Sequence, residues 1–292
     1  MKISGFTIVK NGALMGYPFV ESIRSCLPIV DEMLVGIGRS EDNTRELVAA
    51  IGDPKIRIVD TEWDPSKTKG GFLLSEKTNE MFDLCQNDWC LYLQADEVLH
   101  EQDAAAIRAQ AELYAQDPTV EGLHFSYTHF YGSFDSVATS RLWYREEVRM
   151  VKRGSGARSR GDAQGFRIAT PRWFRKDERR LKTKPANGTV YHYGWVRPPE
   201  TMALKSKLFH RLWHGNERDE DFETFEYEHI YGLTKFEGTH PAVMQERVAN
   251  QNWKTVFKRP FLGCKVSEIR LVLSDLIESV IGFQPWQHKT HD

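Results

Sequence analysis

Nowhere in its 292 residues does this chain assemble the roughly 18 consecutive apolar residues that a membrane-spanning helix requires. Its start offers one lysine and then seven largely apolar positions before Lys10, too few for a secretory signal. Cysteine is scarce as well. Cys26, Cys85, Cys90 and Cys264 lie in or beside apolar stretches, with no CxxC or zinc-type spacing. That speaks against a disulfide framework and for buried thiols in a reducing compartment. The histidines, among them His124, His129, His192, His210 and His214, never fall into the HExxH spacing of a zinc hydrolase. The expected location is cytoplasmic.

A strong net charge is missing too. The formal value is −2, with 40% hydrophobic and 27% charged residues, the proportions of an ordinary globular protein. The length suits one large α/β domain or a domain with an appendage. Locally, however, the charge is lopsided. Residues 1–148 hold 13 Lys and Arg against 24 Asp and Glu, net −11, whereas residues 149–184 hold 13 against 3, net +10. An acidic body beside a basic segment can hold a cation with one part and an anionic ligand with the other. With Phe166, Trp173 and Phe174, the basic segment also raises nucleic-acid binding. That reading needs a wide basic face, but the other residues are net negative and carry no nucleic-acid motif.

What is present is an alternation of strands and helices. Residues 3–9 are β-prone and end at Lys10-Asn11-Gly12, a turn signal. Residues 17–29 repeat apolar positions at helical spacing, residues 32–37 form a second apolar strand, and a helix follows to about Ile51. Residues 55–60 alternate as a third strand, residues 72–85 read as a helix, and Trp89–Leu93 is a fourth strand, apolar on both faces. Strands separated by helices imply parallel βαβ units in a sheet covered on both sides. The fourth strand ends in Gln94-Ala95-Asp96-Glu97. Carboxylates at the C-terminal end of a buried strand stand where open α/β sheets bind ligands. Their oxygens suit a hard divalent cation, which usually accompanies phosphate. The plainer reading is that Asp96 and Glu97 open the next helix.

In that order, these segments resemble GT-A-fold glycosyltransferases, particularly glycosyltransferase family 2. The resemblance covers about residues 3–100. It matches Val9-Lys10-Asn11 to the turn after the first strand, and Gly38-Arg39-Ser40-Glu41-Asp42-Asn43-Thr44 to the loop after the second. Lys77-Thr78-Asn79 matches the segment before the fourth strand, and Gln94-Ala95-Asp96-Glu97 matches the Asp-x-Asp motif. Two positions depart from the family: Ile37-Gly38 replaces an acidic pair, and Gln94 replaces the first Asp. These departures put the donor nucleotide in doubt and leave open a GT-A-like protein that binds without catalysis.

The resemblance implies a Rossmann-like, mostly parallel sheet flanked by helices. It implies a metal-dependent, inverting transfer of a sugar from a nucleoside diphosphate to an acceptor hydroxyl, with Mn2+ or Mg2+ as cofactor. Asp96 and His192 would hold the metal. Asp162 would serve as base, with Glu97 in reserve. Val9, Lys10, Asn11, Gly38, Arg39, Ser40, Asp42, Lys77, Gln94 and Ala95 would line the nucleotide-sugar site. Arg197 and Lys205 suit its phosphates, since Arg grips bidentately and Lys supplies a point charge. The acceptor would be a saccharide or lipid-linked, as in polysaccharide biosynthesis.

Further along, residues 121–131 and 140–151 read as strands. Residues 158–167 read as a glycine-containing mobile loop in which Asp162 sits among cations, with an ion pair to Arg158 or Arg160 as the plain alternative. Residues 189–196 read as a strand carrying His192. Residues 1–200 are expected to form the catalytic domain and 201–292 a helical extension packed on it, with helices over 201–214, 217–228, 241–252 and 266–281. Trp253, Phe257 and Phe261 interleave with Lys254, Lys258 and Arg259, which leaves room for peripheral contact with the inner membrane face. A core helix with solvated lysines is the plainer alternative.

Overall fold

A computed structural model describes residues 1–64, 66–67, 70–170, 177–214, 222–255, 257 and 268–281. Trp173, Phe174, Lys258, Arg259, Phe261 and Cys264 lie outside the described residues. The chain opens as the alternation predicts: β1 (Ile3–Val9), α1 (Phe19–Cys26), β2 (Glu32–Gly38), α2 (Thr44–Ala49), β3 (Ile56–Thr61), α3 (Phe72–Leu84) and β4 (Trp89–Tyr92). β1 lies between β2 and β4, β3 lies outside β2, and all three pairings are parallel.

Period two along the strands divides the core. Ile3 and Val9 of β1 pack with Trp89, Leu91 and Leu93 on one face, against Phe19 and Ile23 of α1. Phe6 and Ile8 pack with Cys90 and Tyr92 on the other, against Met81 of α3. The same face of β4 as α1 receives α4 (Ala104–Leu113), whose Ala111 carbonyl accepts a 2.9 Å hydrogen bond from the Trp89 indole. Each such fully buried side chain contributes about 1.5–3 kcal/mol.

Beyond β4 the sheet becomes mixed. β5 (Glu97–Leu99) follows directly, then β6 (Gly122–Tyr131), β7 (Ser136–Ala138) and β8 (Glu146–Lys152). β8 lies between β4 and β6, antiparallel to both. Residues 140–145 thus form a turn ahead of β8 rather than the start of a strand. The basic segment folds as β9 (Ala157–Ser159), β10 (Phe166–Ala169) and β11 (Glu178–Arg179), a small antiparallel sheet in place of the loop expected over 158–167. Next, β12 (Thr183–Trp195) pairs parallel with β6 and antiparallel with β5, His192 facing Glu97 in register. Its register against β6 shifts between His192 and Trp195, a bulge.

The region after residue 200 is not purely helical. α5 (Pro199–His214) starts just before the expected boundary; of the helix expected over 217–228, residues 217–221 lie outside the described residues and 223–228 are not helical, and β13 (Leu233–Lys235) adds an edge strand antiparallel to β7. Two α-helices follow among the described residues, α6 (Gln245–Ala249) and α7 (Ile269–Ile281). No helix among the described residues is long and apolar enough to cross a membrane.

Candidate active site at the end of the fourth strand

Asp96 and Glu97 are neighbours in sequence and opposites in environment. Glu97 is fully buried and saturated. Arg149, from the middle of β8, grips it with Nε (2.8 Å) and NH2 (2.7 Å), the Tyr127 hydroxyl donates at 2.8 Å and the Gln94 backbone N–H at 3.0 Å. Burial opposes the charge on Arg149, but Glu97 outweighs it and holds the guanidinium well above its usual range. Glu97 therefore fixes β5 and β8 in place of the reserve-base part expected of it. A carboxylate with every favourable position filled has no lone pair to offer a substrate proton.

Asp96 is buried, yet among the described residues its charged neighbours all stand beyond hydrogen-bond distance. Lys205 Nζ stands 3.6 Å from Oδ2, Arg197 NH2 3.9 Å, and His192 Nε2 3.9 Å. The strand end thus brings together all four residues assigned to metal and diphosphate. β12 delivers His192, the turn after it Arg197, and α5 Lys205. The Gly194 carbonyl holds both cations, accepting from Arg197 NH1 and Lys205 Nζ at 2.6 Å each. Only glycine fits at position 194, where a Cβ would fall 2.5 Å from His192 Nε2 and 2.9 Å from Asp96 Oδ2. The Tyr17 ring lies 4.6 Å from the Arg197 guanidinium carbon, a contact the sequence reading missed. Its signal was position alone, in the loop at the C-terminal edge of β1.

The charges do not balance. Arg197 is 1% exposed, and its Nε and NH2 have no hydrogen-bond partner among the described residues. Burial foremost, and Arg197 next, push the Lys205 ammonium down to about 7, while Asp96 works the other way. Burial tends to raise the Asp96 carboxyl, but Lys205, His192 and Arg197 together hold it below the usual range. One carboxylate facing two cationic side chains is half of an anion site.

The imidazole tautomer is fixed by its neighbours. His129 Nε2–H donates to the Tyr144 carbonyl at 2.7 Å, and burial, then His192, pushes its pKa down to about 3, so Nδ1 is left as an acceptor. His192 Nδ1–H donates to that atom at 2.9 Å, and burial keeps His192 neutral. His192 Nε2 therefore turns a bare lone pair toward Asp96. Imidazole and carboxylate lone pairs facing each other fit a divalent cation, and a ring nitrogen held from behind is the usual support for such a ligand. Among the described residues no three His, Cys, Asp or Glu gather for a metal. Two donors fit an ion that keeps its waters and binds substrate phosphate.

Gln94 does not face the strand-end cluster with its amide. Its Nε2 donates to the Ala163 carbonyl at 3.2 Å, and Arg149 NH1 donates to the next carbonyl, Gln164. Both anchor the β9–β10 turn that carries Asp162, and a carboxylate at 94 would have no N–H to give. Among the described residues Asp162 accepts only the Gln164 N–H, at 3.3 Å. Its expected partners are engaged elsewhere, Arg158 with Asp83 and Arg160 with Glu178 at 3.3 Å. With Arg179 paired to Glu121 as well, much of the segment's charge is answered within the fold.

The remaining expected residues brace the loops around the site. Asn11, at φ 52°, donates its N–H to Ser40 Oγ (3.0 Å) and accepts from the Glu41 N–H through Oδ1 (2.8 Å). Asp42 accepts from the Leu14 N–H at 2.7 Å; burial works to raise its carboxyl, but hydrogen bonds from Thr44, Leu14 and Ala13 keep it below the usual range. Lys10 lies against Trp63, whose indole closes over Gly38, while Val9 is buried in the core. Arg39 is exposed and Ala95 half-buried. Lys77 pairs with Glu80 at 2.9 Å, away from the Asp96 cluster.

No family model and no curated protein matches the chain. Solved structures similar to the chain include the three that follow. Glucosyl-3-phosphoglycerate synthase from Mycobacterium tuberculosis, in complex with Mn2+, UDP and phosphoglyceric acid, is 16% identical over 44% of this chain and 43% of its own, with TM-score 0.32. S. aureus TarS 1–349 in complex with UDP is 14% identical over 73% and 65%, with TM-score 0.37. The mannosyltransferase PcManGT from Pyrobaculum calidifontis, in complex with GDP-Man and Mn2+, is 19% identical over 43% and 34%, with TM-score 0.32. The match spans less than half the length of the first of these proteins.

Proposed function

We propose that the chain is a metal-dependent glycosyltransferase that moves a sugar from a nucleoside diphosphate sugar to an acceptor hydroxyl, with inversion. One observation carries the reading: Asp96, His192, Arg197 and Lys205, from three separate elements, converge beyond the end of β4 with more positive than negative charge. Asp96 and His192 Nε2 would hold the metal. A divalent cation bound there supplies charge neutralisation to a departing diphosphate. Arg197 offers its two unpartnered nitrogens to phosphate oxygens, and Lys205 adds a point charge from the same side. The cluster is already ordered by Gly194 and Tyr17, so little reorganisation accompanies binding. Asp162, free of ion pairs among the described residues and set on an anchored turn, takes the acceptor proton. Inversion follows from that direct displacement and rests on the family resemblance.

The test is thermal shift with UDP and GDP, with and without Mn2+, on wild type and Asp96→Ala. A metal-dependent rise in the wild type, absent in the variant, is the expected outcome. Equal shifts in both proteins would falsify the assignment of Asp96.

A further inference from the structure

Behind His192 lies a cavity of about 600 Å³, within the roughly 300–1,000 Å³ of small-molecule sites. Its walls include Trp143, Trp195 and Tyr231, with Arg141, Gln164 and His192 among them. It shares two of these residues with the Asp96 corner. His192 faces Asp96 with one ring nitrogen, and Lys205 Nζ sits 5.9 Å from the Trp195 ring. Gln164 donates its N–H to Asp162 at 3.3 Å, so the cavity adjoins both the strand-end cluster and the turn that carries the proposed base.

We infer that this cavity is the acceptor site and that it takes the ring of a saccharide rather than a lipid chain, an inference that rests on the glycosyltransferase reading. Trp143 and Trp195 stand at 82° with centroids 6.1 Å apart. They form a corner in which a flat ring lies on one indole and meets the other at its edge. The electron-rich face of an indole attracts the polarised C–H bonds along one side of a pyranose. Both tryptophans are only half-buried, so their rings remain open to a ligand. A chain of methylenes would need no polar partner, yet Arg141, Gln164 and Glu268 stand in this largely apolar lining. Arg141 Nε has no hydrogen-bond partner among the described residues, a cost that a ligand hydroxyl would relieve once this half-buried side chain turns toward the cavity. Glu268 also lines the cavity and accepts the Tyr231 N–H at 2.8 Å. A guanidinium and a carboxylate around one space suit a neutral polyol.

Octyl β-glucoside below its micelle concentration carries both candidate chemistries in one molecule. Saturation-transfer NMR on the wild type should mark the pyranose protons more strongly than the alkyl protons. Trp143→Ala should weaken binding about tenfold, Trp143→Phe should restore most of it, and Arg141→Gln should weaken it without loss of fold, as read from the melting temperature. Transfer mainly to the alkyl protons, no transfer at all, or equal binding by the well-folded Trp143→Ala variant would each overturn the inference. The UDP–Mn2+ thermal shift on the same wild-type sample reads the donor site separately. Its failure alongside glucoside binding would sink the donor reading and leave a saccharide pocket.

Discussion

The two ion clusters at the end of β4 differ in one measurable respect. Around Glu97 every polar contact is 2.7–3.0 Å, and around Asp96 the nearest charged atoms stand at 3.6–3.9 Å. The first is a finished joint, in which the desolvation of two charges is offset by a bidentate grip and extra donors. The second is unfinished, and its gaps are wide enough for another atom to coordinate. On the proposed reading, one strand end contains a fastener and a receptacle side by side, and adjacent carboxylates divide the two roles.

That contrast can be broken from the fastened side first. Arg149→Met leaves the Glu97 carboxylate buried and unpaired, and should cost about 3–5 kcal/mol in urea denaturation. Adding Glu97→Gln should recover part of the loss, and a small single-mutant effect would mean that the joint is not structural. Gln94→Asp should come next. It restores the residue type usual at this position in the resembled family but removes the donor to Ala163, and should cost about 1–3 kcal/mol and loosen the turn bearing Asp162. On the receptacle side, Lys205→Met removes a cation that is expensive to bury. Its melting temperature should stay level or rise, while the affinity for UDP with Mn2+, measured by calorimetry, falls about tenfold. A Lys205→Met protein that unfolds more easily and binds normally would reverse the assignment of the two clusters.

The first half of the fold was legible because βαβ order is written in apolar runs broken by turn residues, and β1 to β4 follow those runs closely. Asp96 and Arg197 stood out for a related reason, since each lies just past the end of a strand, where a charged residue is conspicuous against an apolar run. His192 lies inside β12 and Lys205 inside α5, and both were singled out through the family resemblance. Arg149 was not. It occupies the middle of a strand, 52 residues from Glu97, and no periodicity links a buried charge to a partner brought by another strand. The sugar-sized cavity was hidden for the same reason, since the 140–144 turn, the end of β12, residues 230–231 and the start of α7 meet only in three dimensions. The mixed half of the sheet escaped because antiparallel insertion of β8 beside β4 depends on which edge is vacant, which local sequence does not record.

The bulge in β12 has a bearing on how this protein can change. Positions 192 and 195 are an odd number of steps apart, so a regular pleat would send them to opposite sides of the sheet, yet both look into one cavity. Substitutions at these positions can retune what either side of the partition accepts. A single residue gained or lost between them would rotate Trp195 out of the wall and separate the two halves of the site. With His192 held to its proposed part as a ligand, descendants of this sequence can vary in chemistry at position 195 and are held to one length between the two.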